Sequence, residues 1–308
     1  MRFGRLSPRA ASISRFTDRR CQRRAFALLM LSIVLSACSS GANRVSVDYP
    51  KPVVEIKLPS EIEFIPLNPA RGDASPQAGV LWGDIRVDTP SGVLLRFADG
   101  FSSPPHIHNI TYRAVVIDGH IHNDDPAAEK LWMGPGSYWT QPAGEVHITA
   151  AKPGAGATAF LEILDGPYLV EPPSRFFDNG ERPVNLVPSS QQWLGSDDIR
   201  WINTPCEANR CPEVAFLWKD TRQPGLHALL LRMPFDSVTR VTAESDAMLR
   251  MVIVGGSVAY APAKGNVGTE LPAGSYLASS TRADHRLGCR GQAGCLVYVR
   301  ATDSVTLR

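Results

Sequence analysis

Two stretches of this chain constrain it more than any other. The first reads Gly100-Phe-Ser-Ser-Pro-Pro-His106-Ile-His108-Asn-Ile-Thr-Tyr112 and continues through Val115, Val116 and Ile117 to Gly119. The second reads Gly136-Ser-Tyr-Trp-Thr-Gln-Pro142-Ala-Gly144-Glu-Val-His147. Side chains alternate between the two faces of a strand, so His106 and His108 project from one face. Tyr112 joins them if the strand stays regular, and His147 must arrive from a neighbouring strand. Three imidazoles converging from two strands suit a divalent transition metal with open coordination positions. The bland alternative is a set of hydrogen-bonded core histidines, since a lone His-x-His is common on half-buried strands.

Taken together, the two stretches resemble the two motifs of the cupin superfamily. Gly100, His106, His108 and Gly119 stand where the first motif has its glycines and His-x-His pair, with Tyr112 at the place of the family's Glu. Gly136, Pro142, Gly144 and His147 match the second motif, and Ala151 replaces its Asn. The resemblance implies an all-β chain of tandem jelly-roll barrels. It also implies a metal on His106, His108 and His147, with Fe, Zn and Mn as the candidates.

The composition agrees with strands. Gly and Pro number 25 each and are scattered among short apolar runs, a pattern of strands joined by turns. A length of 308 residues suggests about two domains. The formal charge of +2 conceals an asymmetry: residues 1–37 hold eight Arg against one Asp, a net of +7, so the rest carries −5. A mildly acidic body without a basic cluster gives no reason to expect nucleic-acid binding.

The arginines lead into an apolar run, Ala25-Phe-Ala-Leu-Leu-Met-Leu-Ser-Ile-Val-Leu35, too short to span a bilayer comfortably and read as a signal peptide over 1–37. Leu35-Ser36-Ala37-Cys38 resembles a bacterial lipobox, which implies cleavage before Cys38 and lipidation of its thiol. Ser39 is not the aspartate-type retention signal, so the expected place is the outer membrane, facing the periplasm. Residues 38–58 are read as a tether, polar and aperiodic to about Pro52.

The second half echoes the first. Val93-Leu-Leu-Arg-Phe97 recurs as Leu229-Leu-Leu-Arg-Met233, Arg113-Ala-Val-Val-Ile117 as Arg250-Met-Val-Ile-Val254, and Gly136-Ser-Tyr138 as Gly274-Ser-Tyr276. A His follows the glycine by eleven positions in both copies, His147 and His285. Ordered matches at near-constant offset indicate duplication. The predicted division is a metal-binding barrel over 59–173, a linker over 174–190 and a degenerate barrel over 191–308. The second copy reads Val241-Thr-Ala-Glu-Ser245 where the first has its histidines, so it is expected to hold no metal. Four cysteines, Cys206, Cys211, Cys289 and Cys295, all fall in that copy. Outside the cytoplasm an even count reads as disulfides. The spacings favour two local loops, Cys206–Cys211 and Cys289–Cys295, with a zinc site as the competitor.

Neutral imidazoles leave an ion's charge uncompensated, and Tyr112 could offset it only as a phenolate, against an ordinary value near 10. Tyr112 and Glu145 are the candidate catalytic groups, Glu145 as base or as a partner of His147. His120 and His122 could line the pocket mouth. Ser102-Ser-Pro-Pro-His-Ile-His-Asn109 and Gly136-Ser-Tyr-Trp-Thr-Gln-Pro-Ala-Gly-Glu145 further resemble a family of two-domain bacterial cupins known only as a domain of unknown function. Cupins host unrelated activities, so two readings stand: a metal-dependent enzyme, an oxygenase by analogy with three-histidine iron cupins, acting on a small carbonyl or enol-type molecule; or a non-catalytic sensor or scavenger of metal or small ligand. Expected partners are a small molecule and, through the lipid, a membrane; self-association is left open.

Overall fold

Strands apolar on both faces have to be covered on both faces, and that requirement organises the molecule. In the strand Ser91–Phe97 the side chains of Val93, Leu95 and Phe97 enter one core and Leu94 enters another. In the strand His227–Met233, Leu229, Leu231 and Met233 go to one side, Ala228 and Leu230 to the other. Val93–Leu95 and Ala228–Leu231 therefore read as continuous apolar runs, the mark of a sheet buried on two sides.

The structure is a computed structural model and describes residues 53–202, 210–243, 248–262, 268–280, 283–302 and 304–308. The first half is a seven-stranded antiparallel sheet in the order Val184–Leu186, Tyr138–Gln141, Tyr112–Asp118, Ala157–Ile163, Ser91–Phe97, Gln77–Trp82 and Phe64–Pro66. Two short pairs accompany it: Ile121–Asp124 with Ile148–Ala151, and Ile107–His108 with Val170–Glu171. The second half has a six-stranded sheet, Val53–Lys57, Tyr276–Ser280, Leu249–Gly255, Cys295–Ala301, His227–Met233 and Glu213–Lys219. A five-stranded sheet of Thr269–Pro272, Ser257–Pro262, Asp284–Cys289, Val238–Ala243 and Val305–Leu307 completes it. The chain is all-β, built as jelly rolls.

Each half has its own core, and a third joins them. Leu81, Trp82, Leu94, Val115, Tyr138 and Phe160 of the first half pack on Ala228, Leu230, Val252, Tyr276 and Tyr298 of the second. Both halves accordingly belong to one compact unit, Tyr49–Arg308. Within this interface Glu162 is fully buried. The Tyr298 hydroxyl donates to its Oε2 at 2.6 Å, and Arg300 Nε lies 2.5 Å from its Oε1 as an ion pair. Burial pushes the Glu162 carboxyl up, while Arg300 pulls it back toward the charged form.

Residues 53–57, at the end of the stretch read above as a tether, are a strand. It pairs in register with Tyr276–Ser280, Val53 opposite Ser280 and Lys57 opposite Tyr276. The β-branched residues Val53, Val54 and Ile56 favour this pairing, and it covers what would otherwise be an open sheet edge. The expected linker likewise contributes a strand, Val184–Leu186, which pairs with Tyr138–Gln141. Of the cysteines, Cys289 and Cys295 form a disulfide, Cys211 is also disulfide-bonded, and Cys206 lies outside the described residues, as does Cys38.

Candidate metal centre

His106 and His147 meet as a β-bridge. The amide of each donates to the carbonyl of the other, at 3.1 and 3.0 Å, so they form a directly opposed pair with side chains on one face. His108, two residues along, lies on that face. The amide of Gly144 donates to the carbonyl of His108 at 2.8 Å and ties the turn of the second motif to the first. Gly144 has φ +79°, and a Cβ there would lie 2.2 Å from the carbonyl oxygen of Phe177, so this turn admits only glycine without rearrangement.

The ligand atoms of His106, His108 and His147 all lie within 4.8 Å of one another. Their Nδ1 atoms face backbone carbonyls: Pro104 at 2.9 Å, Leu169 at 2.8 Å and Glu145 at 3.1 Å, respectively. A carbonyl can only accept, so each Nδ1 carries the proton and each Nε2 presents its lone pair. Orientation of this kind prepares imidazoles to ligate a metal. Burial keeps the rings neutral. It holds His108 well below the usual imidazole value and pushes His147 down to about 3. His106 is lowered by burial, against the pull of its bond to Pro104, with the charge of Arg71 lowering it further. Three neutral nitrogen donors with fixed tautomers fit a divalent transition metal. Among the described residues no other such cluster occurs. In the second half, His285 is buried between the hydroxyls of Ser279, 2.9 Å from Nε2, and Tyr260, 3.3 Å from Nδ1.

Tyr112 stands at the site, although the strand is interrupted between His108 and Tyr112. Its hydroxyl donates to Asn123 Oδ1 at 2.8 Å and lies 3.5 Å from His147 Nε2. The Asn123 amide donates to Gln141, which donates to the carbonyl of Glu145, and Thr149 donates to Asn123. Burial pushes Tyr112 up to about 12, so it is a neutral phenol and supplies no negative charge. Glu145 acts through its backbone. Its carbonyl orients His147, while its side chain lies in a separate depression with Phe176, Phe177 and Arg182 rather than in the cavity of the histidines. His122 is buried but turns away toward Trp132, and His120 lies against Gly134.

His106, His108 and Tyr112 line a cavity of about 360 Å³ whose other walls are mostly apolar, including Leu95, Phe97, Phe101, Trp139 and Leu161. Tyr168 is the site residue that sequence reasoning missed. Its ring stacks on His108 with centroids 4.2 Å apart, and its hydroxyl donates to His108 Nε2 at 3.0 Å. No spacing rule links two residues 60 apart; only the return of the chain along Val170–Glu171 beside Ile107–His108 brings them together.

A profile of a family described as a domain of unknown function, DUF4437, matches residues 55–307. The chain belongs to the DUF4437 family. The match begins inside the strand Val53–Lys57 and spans both halves of this DUF4437 protein. Solved structures of similar fold include a candidate dioxygenase from Nostoc punctiforme, 14% identical over 83% of this chain and 86% of that one, with a TM-score of 0.58. They also include salicylate 1,2-dioxygenase from Pseudoaminobacter salicylatoxidans with gentisate adducts, 14% identical over 83% of each chain, TM-score 0.51. Quercetin 2,3-dioxygenase from Acinetobacter baumannii is 13% identical over 81% of this chain and 79% of that one, TM-score 0.50. At such identities the likeness speaks to the cupin-type fold of the DUF4437 chain. No curated protein matches its sequence significantly.

Proposed function

We propose that this protein is an exported, lipid-anchored, metal-dependent oxygenase acting on a small carbonyl or enol-type molecule. The observation that carries the proposal is the orientation of three Nε2 lone pairs beside an apolar cavity of about 360 Å³. A redox-active divalent ion held there would supply Lewis-acid polarisation and reactivity toward dioxygen. His106, His108 and His147 would hold it, and the carbonyls of Pro104, Leu169 and Glu145 keep them in the ligating tautomer. With His108 Nε2 engaged by the ion, the Tyr168 hydroxyl would be released from that nitrogen and free to donate to a substrate oxygen, while Tyr112 stays tied to Asn123. The apolar walls exclude water and strengthen those interactions. The fold shared with dioxygenases that act on small aromatic molecules supports the same reading.

The reading is tested by loading the protein with Fe(II), Zn(II) or Mn(II) and following oxygen uptake with diketone, enol and phenolic substrates. Uptake that requires a redox metal and disappears in His106→Ala is expected. Metal bound at one equivalent without uptake on any substrate would favour the second reading, a non-catalytic binder. One observation favours that alternative: among the described residues the cavity walls hold no carboxylate to serve as base. Anchoring at the outer membrane through Cys38 belongs to the same proposal and rests on the Leu-Ser-Ala-Cys sequence. Cys38→Ala is expected to leave unprocessed precursor without lipid label, and normal processing of that variant would remove the anchor.

A further inference from the structure

The charge in the cavity is one-sided. Among the described lining residues there is one Arg, Arg71, no Lys and no Asp or Glu. Nothing in the described walls therefore balances the charge of Arg71. Among the described residues no ion pair forms to Arg71, and the other residues lining the cavity include no Asp, Glu or Lys.

The backbone that carries Arg71 is held in place. Its segment is closed at the base by the Leu67 amide donating to the carbonyl of Pro76 at 2.8 Å and the Asn68 amide donating to Ser75 Oγ at 2.8 Å. The Arg71 amide donates to the carbonyl of Asn68 at 3.0 Å, and its guanidinium sits 5.7 Å from the ring centroid of Phe101, another wall of the same cavity. Arg71 is exposed at the rim of the cavity, so its guanidinium, beside an aromatic wall and without a carboxylate partner in an ion pair, can present a planar fork of donors to a molecule that enters.

We propose that the cavity is a receptor for a small monocarboxylate with an apolar, ring-sized body: the carboxylate pairs with Arg71 and the body lies against Phe97, Trp139 and Leu161. This deepens the enzymatic reading by naming the substrate class of the same cavity. Planar walls from Phe97, Phe101, Tyr112, Trp139 and Tyr168 suit a ring. A volume of about 360 Å³ is near the lower end for ligand pockets and excludes long acyl chains. One two-pronged cation matches one carboxylate, whereas a phosphate dianion calls for further donors.

The experiment is calorimetric titration of the full chain, zinc-loaded and after chelation, with benzoate, its neutral isostere benzamide, and benzylamine. The wild type is expected to bind benzoate about tenfold or more tighter than benzamide, and not to bind benzylamine. Arg71→Gln is expected to erase the benzoate preference and Arg71→Lys to restore part of it, with zinc content and melting temperature unchanged in both. The preference should persist in the chelated wild type. Equal affinity for benzoate and benzamide, or an undiminished preference in Arg71→Gln, would overturn the assignment. A preference seen only with zinc bound and indifferent to Arg71 would overturn it as well, by making the metal the anion receptor. Failure of the oxygenase reading leaves these outcomes readable, since none of them requires turnover.

Discussion

At the scale of the residue, the histidine set follows from simple stereochemistry. A bridge between His106 and His147 and a period of two along the strand place three rings on one face. Their tautomers were not legible, because the three carbonyls that set them are backbone atoms whose positions depend on the fold. Replacing any one of the three by Ala is expected to lower metal content sharply, by ten- to a hundredfold in affinity or more, while His285→Ala leaves it unchanged. Metal analysis of the purified variants decides this, and full occupancy in the triple variant would dismiss the site. Glu145 shows the limit of reading chemistry from neighbourhood in sequence. It lies two residues from His147, and its carbonyl meets that ring while the residue lines a separate depression with Phe176, Phe177 and Arg182.

At the scale of the element, a short disulfide braces the second half. Cys289 ends the strand Asp284–Cys289 and Cys295 begins Cys295–Ala301, with a separation of six residues. The bond joins strands of the two different sheets. Closing so short a loop in the unfolded chain contributes about 2 kcal/mol by the chain-entropy estimate. Cys289→Ser with Cys295→Ser is expected to lower the melting temperature by several degrees and to leave metal on the histidines. Loss of metal in that variant would tie the bond to the site, contrary to the separation seen here. Spacing made this pair legible. The strand Val53–Lys57 was read as tether because alternation over five residues is too short a signal when the partner strand is more than two hundred residues away.

At the scale of the whole molecule, the two halves are held by a shared apolar core and the buried ion pair of Glu162 with Arg300. Removing one member of a buried ion pair leaves the other uncompensated, at a cost of roughly 3–5 kcal/mol. Glu162→Ala strands Arg300 in this way, and a clear loss in denaturant midpoint is the expected result; an unchanged midpoint would show that water reaches the pair. The buried histidines add a pH dependence. His147 and His285 have folded values of about 3 and about 4 against 6.5 unfolded. The unfolded chain therefore binds more protons below 6.5, and stability rises with pH across that window. It is complete above about 6.5 and lost as pH falls toward the folded values, on the order of 1 kcal/mol per pH unit for each histidine. Melting of metal-free protein between pH 7 and 4 tests the slope, which should flatten in His147→Ala.

The sequence by itself determined the strand content and the convergence of three histidines, since each rests on local period or fixed spacing: alternation of side chains, turn glycines, and histidines two apart. Tertiary structure alone decided what surrounds those ligands. Tyr168 and Arg71 reach the cavity from two separate segments, Asn123 reaches Tyr112 from a third, and no local rule relates them to His106. The same holds for Glu162, whose charge is tolerable only because Arg300 and Tyr298 of the other half close over it. Local pattern states which face a side chain takes, and long-range pairing of strands decides what that face meets.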